Sequence, residues 1–475
     1  MAGKADGYRE AERRLLRRRL DRASFLRLIG AGATLSFVPA SLVARPSSAQ
    51  TTGPEILSQE GEYPIGVWSP PPPRETTAAR YAEIANAGFN FVIGGNGVNT
   101  TDLHRRALDA AWADNNSLGF FLTDNILQNA IKGEVSPDRQ DAVTKRLTRL
   151  LDDYRAHPAL AGLNLYDEPN SRLFGILAYA KRELRRLAPQ ELLYVNVWPS
   201  YAAPRALGAR TYGKYLNRYL SAVSPPLLSF DHYPLLSKGI TSDYFYNWAV
   251  IRNVSRRFGV PSRGFIQSVG FDGRKVGLSR RRKPTKNELF WQINVALAYG
   301  AKGLQYFTYW NPVDPQIRFG NALINSEGDQ TDLYGYAQKA NGYLKKVGKE
   351  LLPLKSESVV HAKERRLPRG AKAFRADGYV NSVGGDPVIL GRFSNPDVST
   401  EQYLFVANRS LANSAITLLT MSAAVSSGVV ERLDHSPGVP DKTYVPVPLE
   451  GTSSRRILQV TLKAGRAELY RLRTA

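Results

Sequence analysis

Cysteine is absent from this chain of 475 residues, and histidine and methionine are rare. Without cysteine there can be no disulfide bonds, thiolate metal ligands or cysteine nucleophiles, so stability has to come from burial in a large core. The five histidines include no pair spaced i, i+4, and the sequence has neither a Gly-x-x-x-x-Gly-Lys loop nor a dinucleotide-binding glycine fingerprint. We therefore expect no bound metal and no cofactor.

The first 49 residues are predicted to be a signal peptide. Six arginines between residues 13 and 22 precede a mild apolar run, Leu28 to Ala44, and then Ser47-Ser-Ala49. The segment Asp21-Arg-Ala-Ser-Phe-Leu-Arg27 resembles the twin-arginine export motif, with Ala23 where the second arginine would stand. A run of about 17 residues is marginal for spanning a bilayer. We expect cleavage near Ala49, no stable membrane span after processing, and a secreted, cell-envelope or periplasmic protein.

Negative charge is in short supply, since 64 Lys and Arg face 42 Asp and Glu. Residues 1–49 hold ten basic and four acidic residues, so the remainder keeps a net charge of +16. A basic surface attracts polyanions. For an exported protein, this favours carbohydrate, including anionic glycan, over nucleic acid as the partner. The densest cluster, Arg280-Arg-Arg-Lys283, is interpreted either as a clamp for a substrate anion or as an ordinary loop.

Short apolar runs alternate with amphipathic helical stretches from residue 65 to residue 309, as repeated βα units require. Eight runs predict strands: 65–68, 89–94, 119–124, 161–168, 192–198, 227–233, 263–268 and 302–309. The helical stretches include 76–87, 142–155, 173–187, 244–258, 287–299 and 334–349. This pattern predicts a (β/α)8 TIM barrel in residues 50–355.

After about residue 355 the helical periodicity ends and short alternating runs follow, separated by Gly, Pro, Asn and Asp. The predicted strands are 371–374, 388–392, 402–407, 415–419, 457–461 and 467–471. Alternation of apolar and polar residues is typical of antiparallel sheets with one covered face. Residues 356–475 are therefore predicted to form a small antiparallel β-sandwich.

Two adjacent acids end the fourth predicted strand, in Gly162-Leu-Asn-Leu-Tyr-Asp-Glu-Pro-Asn170. Proline cannot donate to a sheet, so Pro169 ends the strand near Glu168. Parallel barrels place their chemistry at the carboxyl ends of the strands. Asp167 and Glu168 are therefore predicted catalytic residues, and Asp231, at the end of the sixth strand, is a third candidate.

Polar and aromatic residues follow the other strands. Aromatic rings cover the C–H face of a pyranose, while amides and acids bind its hydroxyls. Core packing explains each aromatic residue taken alone, and a structural hydrogen bond explains Asp231 equally well, but their convergence on one rim favours a saccharide site. The predicted substrate-binding residues are Trp68, Asn96, Asp124, Trp198, Tyr233, Gln267, Tyr309 and Trp310.

The chain resembles glycoside hydrolases with a (β/α)8 barrel, of the large clan that includes the family 42 β-galactosidases. The matching segments are Leu165-Tyr-Asp-Glu-Pro169, Phe230-Asp-His-Tyr-Pro234, Gly300-Ala-Lys-Gly-Leu-Gln-Tyr-Phe-Thr-Tyr-Trp310, Ala322-Leu-Ile-Asn-Ser-Glu-Gly328 and Ala467-Glu-Leu-Tyr470. The resemblance implies an exported glycosidase with Glu168 as proton donor. It also implies a nucleophilic glutamate ending strand seven, where this chain has Gln267, and a neutral amide cannot form the glycosyl-enzyme ester.

Three interpretations remain open. In the first, Asp167 and Glu168 resemble the acidic pair of the family 20 and 123 hexosaminidases, which implies that a substrate acetamido group attacks while Asp167 orients it, Tyr233 hydrogen-bonds it and Glu168 protonates the leaving oxygen. Neighbours in a regular strand point to opposite faces, so this needs a strand that has begun to turn. In the second, Glu168 is the acid and Asp231, or else Asp124, is its partner; a separation of about 5–5.5 Å gives retention and about 6.5–9.5 Å gives inversion.

In the third interpretation Gln267 marks a lost nucleophile, and the protein is a carbohydrate-binding or structural protein of the cell envelope. We favour hydrolysis, because a half-apolar pocket would raise the pKa of Glu168 as a proton donor requires. A shallow rim, or an arginine paired with Glu168, would favour the scaffold instead. An esterase would need a Gly-x-Ser-x-Gly elbow and an aldolase a lysine within the barrel, and the sequence offers neither.

Overall fold

Eight parallel strands close into a barrel, because the eighth strand of the barrel pairs with both the seventh and the first. The computed structural model describes residues 61–113, 116–426, 428–452 and 455–473, so the predicted signal peptide lies outside the described residues. The barrel strands are β1 (Ile65–Trp68), β2 (Phe91–Ile93), β3 (Gly119–Thr123), β4 (Leu160–Asp167), β5 (Leu192–Val197), β6 (Leu228–Phe230), β7 (Ser262–Gln267) and β9 (Leu304–Phe307). A short antiparallel pair, β8 (Phe271–Asp272) and β10 (Arg318–Phe319), joins the segments that follow β7 and β9. The predicted TIM barrel is confirmed, and its strand ends differ from the prediction by at most three residues.

Helices connect the strands and cover the barrel. They are α1 (Ala78–Asn86), α2 (Thr101–Trp112), α3 (Asn125–Ile131), α4 (Pro137–Tyr154), α5 (Phe174–Leu187), α6 (Pro204–Leu207), α7 (Tyr212–Val223), α8 (Tyr244–Phe258), α9 (Lys286–Ala298) and α10 (Asp332–Leu351). Polar caps fix where they begin: Ser136 caps α4 ahead of Pro137, and Thr285 with Glu288 forms a capping box on α9. Within the described ranges, no helix combines the length and the apolar character needed to cross a bilayer.

The barrel interior is filled by side chains that alternate along the strands. They are Phe91, Ile93, Phe121, Ala161, Leu192, Tyr194, Leu227 and Phe265. Gly66 makes room for one of them, because a Cβ at Gly66 would lie 2.1 Å from the Phe91 ring. Trp68, Tyr233 and Phe307 pack on this cluster and are only partly buried. The carboxyl end of the barrel therefore has an aromatic floor.

The C-terminal region is a β-sandwich, as predicted. Its six-stranded sheet has the order β11-β13-β14-β20-β16-β17, its four-stranded sheet has the order β12-β15-β19-β18, and both are antiparallel. The strands are β11 (Lys355–Ala362), β12 (Val380–Gly385), β13 (Val388–Ser394), β14 (Glu401–Asn408), β15 (Ala415–Met421), β16 (Val429–Leu433), β17 (Tyr444–Pro446), β18 (Glu450–Thr452), β19 (Arg455–Leu462) and β20 (Ala467–Arg473), and α11 (Ala423–Ser426) precedes β16. The predicted strand 371–374 is wrong, since this segment forms only one bridge, between Ala373 and His361. Five strands, β11, β12, β16, β17 and β18, were not predicted.

The sandwich packs on the barrel through α9. Trp291 Nε1 donates to Arg409 O at 3.1 Å, and Asn294 Nδ2 donates to Gly465 O at 2.8 Å. The Arg466 guanidinium lies 3.4 Å from the centre of the Phe290 ring. These contacts make barrel and sandwich one compact unit. A domain boundary at residue 355 stays a prediction.

Lys302 ties the foot of β9 to the carboxyl end of α10. Its Nζ donates to Leu351 O at 2.6 Å and to Leu352 O at 2.9 Å, and also to Leu354 O. We expect Lys302→Met to lower the free energy of unfolding by about 2–4 kcal/mol, because three buried carbonyls at and just beyond the end of α10 lose their shared donor. Urea unfolding would measure this loss, with Lys339→Met, an exposed lysine of α10, as the control. Equal midpoints for the two variants would contradict the assignment.

Candidate active site

The end of β4 is irregular, and this irregularity brings two adjacent acids to one site. The register between β4 and β5 shifts between Asn164 and Tyr166. Glu168 then has a left-handed backbone with φ of 51°, and its N–H donates to Asn196 O at 2.8 Å. Beyond it, Pro169 O accepts a 2.8 Å hydrogen bond from the Tyr215 hydroxyl. Because the strand has already turned at Glu168, neighbouring acids need not face opposite sides of the sheet.

Three carboxyl groups, Asp167, Glu168 and Asp231, form an acid cluster at the barrel mouth. Asn196 Nδ2 donates to Asp167 Oδ1 at 3.2 Å and to Asp231 Oδ1 at 2.9 Å. The Glu168 N–H donates to Asn196 O at 2.8 Å, so Asn196 contacts all three acidic residues, and the charges of Asp231 and Asp167 act on the Glu168 carboxyl group. The structure therefore brings together all three predicted catalytic residues.

A buried polar chain orients Asn196 beneath the acid cluster. Asn196 Oδ1 accepts from Ser229 Oγ at 2.9 Å. Ser229 Oγ in turn accepts from Gln305 Nε2 at 3.0 Å and contacts the Tyr194 hydroxyl at 2.7 Å. The single Ser229 proton goes to Asn196, so Tyr194 is the donor in its bond with Ser229. This chain holds the Asn196 amide with its N–H groups toward the acids.

The acids raise one another's pKa. The pKa of Glu168 is raised well above its usual range, first by burial and then by the charges of Asp231 and Asp167. Burial and the charge of Asp167 raise the pKa of Asp231 to about 7, and enclosure raises that of Asp167 to about 6. Asp167 is itself exposed to solvent, so its rise counts for less than those of its neighbours. Burial and mutual repulsion therefore favour the protonated form of the cluster.

Within the described residues, no arginine, lysine or histidine lies within 4 Å of these three carboxyl groups to form an ion pair. An ion pair between Glu168 and an arginine, which would favour a scaffold role, is therefore not found among the described residues. In the same part of the chain, no set of three His, Asp or Glu side chains is placed to hold a metal ion.

Aromatic side chains lie at the mouth of the barrel. Of the predicted binding residues, Trp68, Trp198 and Tyr233 are half-buried near strand ends. Trp68 and Tyr233 pack on the aromatic floor, where the Tyr233 ring lies 4.9 Å from that of Phe307, whereas Trp198 packs on the main hydrophobic core. Phe307 and Tyr201 were not predicted. Tyr201 is 38% exposed, and its ring lies 5.1 Å from that of His232. The surrounding protein raises the pKa of its phenol, and the charges of Asp231 and Glu168 raise it further.

Tyr309 and Trp310 lie elsewhere than expected, because β9 ends at Phe307. Tyr309 is fully buried, with its ring 6.5 Å from that of Phe89. Trp310 is 5% exposed and lies under the Arg80 guanidinium, 5.3 Å from the ring centre. Both rings are covered by other side chains, Phe89 and Arg80, so we leave them out of the proposed binding set.

Gln267 and Asn96 have structural partners. Gln267 is fully buried; its Oε1 accepts from Leu235 N at 3.0 Å, and its Nε2 donates to Arg282 O at 2.8 Å. It therefore braces the loops at the end of β7, and its amide is not offered to a ligand. Asn96 is half-buried and donates to Pro70 O at 2.7 Å, which ties two rim loops together while leaving part of the side chain accessible.

Asp124 is placed away from the acid cluster. Its carboxylate accepts two hydrogen bonds from Arg146, at 2.9 and 2.6 Å, and caps α3 by accepting from Leu127 N at 2.7 Å. Asp124 is 2% exposed. We expect Asp124→Asn to lower the free energy of unfolding by about 3 kcal/mol, because it leaves Arg146 without its anion, and to spare whatever activity the folded protein has. Thermal unfolding with an activity assay would test this, with Asp152→Asn, an exposed acid of α4, as the control. A loss of activity without a loss of stability would instead mean that Asp124 belongs to the active site.

The basic cluster 280–283 is mostly engaged in structure. Arg282 pairs with Glu288 and donates to the Gly239 carbonyl at 2.9 Å. Lys283 pairs with Asp332, and Arg280 is exposed. Of the four, Arg281 alone is buried, and its Nε donates to Tyr233 O at 2.6 Å.

A search of protein-family models and of curated proteins found no match. Solved structures are similar to this chain. A family 42 β-galactosidase from G. stearothermophilus, solved as a catalytic mutant, has a TM-score of 0.55 at 9% identity, over 87% of this chain and 99% of its own. The β-galactosidase from Bacillus circulans sp. alkalophilus has a TM-score of 0.54 at 10% identity, over 88% and 100%. That from the psychrophilic Marinomonas ef1 has a TM-score of 0.45 at 12% identity, over 61% of this chain.

The chain spans 62% of the length of the Marinomonas enzyme. At these identities the likeness shows the fold alone. The protein is therefore a (β/α)8 barrel with a C-terminal β-sandwich, a fold similar to that of the family 42 β-galactosidase, and its activity has to be argued from the acid cluster.

Proposed function

We propose that this protein is a glycoside hydrolase that cleaves an oligo- or polysaccharide, with Glu168 as general acid and base. The observation that carries the proposal is the contact of Asn196 with all three acids: its Nδ2 donates to Asp167 and Asp231, and its carbonyl accepts from the Glu168 N–H. Burial and the charges of the two aspartates raise the pKa of Glu168, which favours its protonated form, and Trp68 and Tyr233 pack on the aromatic floor of the mouth. A glycosidase needs such a proton for the leaving oxygen and such rings for the sugar.

Asp231 is the proposed partner of Glu168. Asp231 is close enough for its charge to raise the pKa of Glu168, and we take it as the nucleophile of a retaining mechanism, which needs carboxyl groups about 5–5.5 Å apart. Gln267 is neutral and enclosed, so the second carboxylate would come from the end of β6 instead of β7. In this proposal Asp231 attacks the anomeric carbon, Glu168 protonates the leaving oxygen, and Glu168 then deprotonates the water that releases the sugar.

Asp167 supports a second mechanism on the same site. It is exposed, adjacent to the proton donor, and its side-chain hydrogen bond is to Asn196 at 3.2 Å. Such a carboxylate could orient a substrate acetamido group, with Tyr233 as its other contact, so that no protein nucleophile is needed. Asp167→Asn separates the two: it would abolish cleavage of N-acetylhexosaminides in this mechanism, and would leave Asp231-dependent cleavage largely in place in the other.

A carbohydrate-binding protein of the cell envelope is the alternative function, and the enclosed Gln267 is the observation that favours it. Turnover of a panel of aryl glycosides and N-acetylhexosaminides by the purified protein decides between the two. Release of one sugar by wild type and its loss in Glu168→Gln support the hydrolase. If no member is cleaved while wild type and Glu168→Gln bind the same glycans equally, the protein is a binder. We also propose that residues 1–49 export the chain, because the polysaccharides of a cell envelope lie outside the cytoplasm.

A further inference from the structure

One guanidinium of the basic cluster is buried against the strand end that carries Asp231. Arg281 is 6% exposed. Its Nε donates to Tyr233 O at 2.6 Å, and its Nη1 donates to Ser279 O at 2.9 Å. Tyr233 follows Asp231 by two residues, so the bond to Tyr233 O ties the Arg281 guanidinium to the segment that leaves the end of β6.

Arg281 has no anionic partner of its own. Within the described residues, no carboxylate lies within 4 Å of its nitrogens. Asp243 acts on it from further away, but accepts from Ser200 Oγ at 2.8 Å and lies 3.6 Å from His232. A cation that is buried without a counter-ion is costly. It is also free to bind an anion without first breaking an ion pair.

Tyr201 joins the surroundings of Arg281 to those of the acids. It is 38% exposed, and its ring lies 5.1 Å from that of His232, the residue between Asp231 and Tyr233. The charges of Asp231, Glu168 and Arg281 all act on its phenol. A ligand group on Arg281 would therefore share the mouth with the bond that Glu168 is proposed to protonate.

We propose that Arg281 binds an anionic group of the sugar, a carboxylate or a sulfate or phosphate ester, and so makes the enzyme selective for acidic saccharides. This inference rests on the proposed function and names its substrate class. A guanidinium suits the task because its planar N–H groups match carboxylate and phosphate oxygens in pairs. Arg282 and Lys283 are already paired with Glu288 and Asp332, and Arg280 is exposed to solvent. Arg281 is therefore the member of the basic cluster that is available to bind the anionic group.

The test uses matched pairs of aryl glycosides that differ only at C6, a uronide against its neutral hexoside, with 6-sulfo and 6-phospho hexosides as further arms. The measured quantity is the ratio of kcat/KM for the acidic and neutral members. We expect wild type to favour an acidic member, and Arg281→Gln to lower the ratio by about 10–100-fold, the worth of a hydrogen bond between charged groups. Arg281→Lys should keep part of the preference, and Arg280→Gln, an exposed neighbour in the same loop, should keep all of it. A structural loss affects both members equally and cancels in the ratio.

A wild-type preference for the neutral members would overturn the inference, and so would an Arg281→Gln variant with an unchanged ratio. If no glycoside is cleaved, calorimetry of the same ligands on Glu168→Gln, with and without Arg281→Gln, takes the place of kinetics. An anion preference that depends on Arg281 would then support this site while the hydrolase proposal fails. Equal binding of acidic and neutral sugars would overturn this site too.

Discussion

Replacing Glu168 by Gln is expected to lower kcat/KM for glycosides with poor leaving groups by about 10²–10⁴-fold, the usual contribution of a general acid. The amide keeps the size of the side chain, but it cannot transfer a proton. Glycosides with acidic phenol leaving groups need less protonation, so their loss should be smaller. Kinetics on a series of aryl glycosides would measure both effects.

Glu191→Gln is the matched control. Glu191 is also a half-buried glutamate, and burial raises its pKa to about 7. It immediately precedes β5, at the opposite end of the barrel from the acid cluster. If Glu191→Gln lost activity in the same way, or if Glu168→Gln lost activity equally for all leaving groups, a general-acid role for Glu168 would be contradicted.

Asp231→Asn is expected to abolish turnover, by at least about 10³-fold as for a lost nucleophile, and to make the protein more stable. The folded pKa of Asp231 is about 7, well above the value of an unfolded aspartate. The folded state therefore binds more protons than the unfolded state between about pH 4 and pH 7, and stability falls as the pH rises through that window. The amide carries no charge, so the variant escapes this loss.

Thermal unfolding across pH 4–8 would test the stability change. We expect Asp231→Asn to gain about 1–2 kcal/mol over wild type at pH 7 and above, and little at pH 4, since active-site charges commonly reduce stability. Asn196 Nδ2 can still donate to the amide oxygen, so the cluster keeps its shape. A variant that is inactive and less stable at every pH would mean that Asp231 is a structural acid.

Much of the barrel could be predicted because each of its strands is an apolar run that ends at a polar or proline residue. The sandwich was harder. Four of the five strands that were missed, β11, β12, β17 and β18, lie at sheet edges. Edge strands have one free side and need not be apolar, and β11 reads Lys355-Ser-Glu-Ser-Val-Val-His-Ala362. Alternation was therefore too weak a signal for them.

Site residues could be predicted where the sequence marks the end of a strand. They could not be predicted where their position depends on how neighbouring strands pair. Pro169 marks the end of β4, so Asp167 and Glu168 could be located in advance. The bridging role of Asn196 depends on the register shift between β4 and β5, which no residue pattern reveals. The eighth predicted run ends at Tyr309, but β9 stops at Phe307. The mouth therefore gains Phe307 and loses Tyr309 and Trp310. Tyr201 lies in a loop, where spacing carries no information.

Glu168 is expected to keep its proton at neutral pH because it is enclosed beside Asp231 and Asp167. A carbon-13 NMR titration of the glutamate carboxyl groups, comparing wild type with Glu168→Gln to assign the signal, tests this without any substrate. We predict that the Glu168 carboxyl remains protonated through pH 7, and that it titrates at lower pH in Asp231→Asn, because a neighbouring charge has been removed. Titration of Glu168 near pH 4.5 in wild type would contradict the account, since an ionised Glu168 has no proton to give.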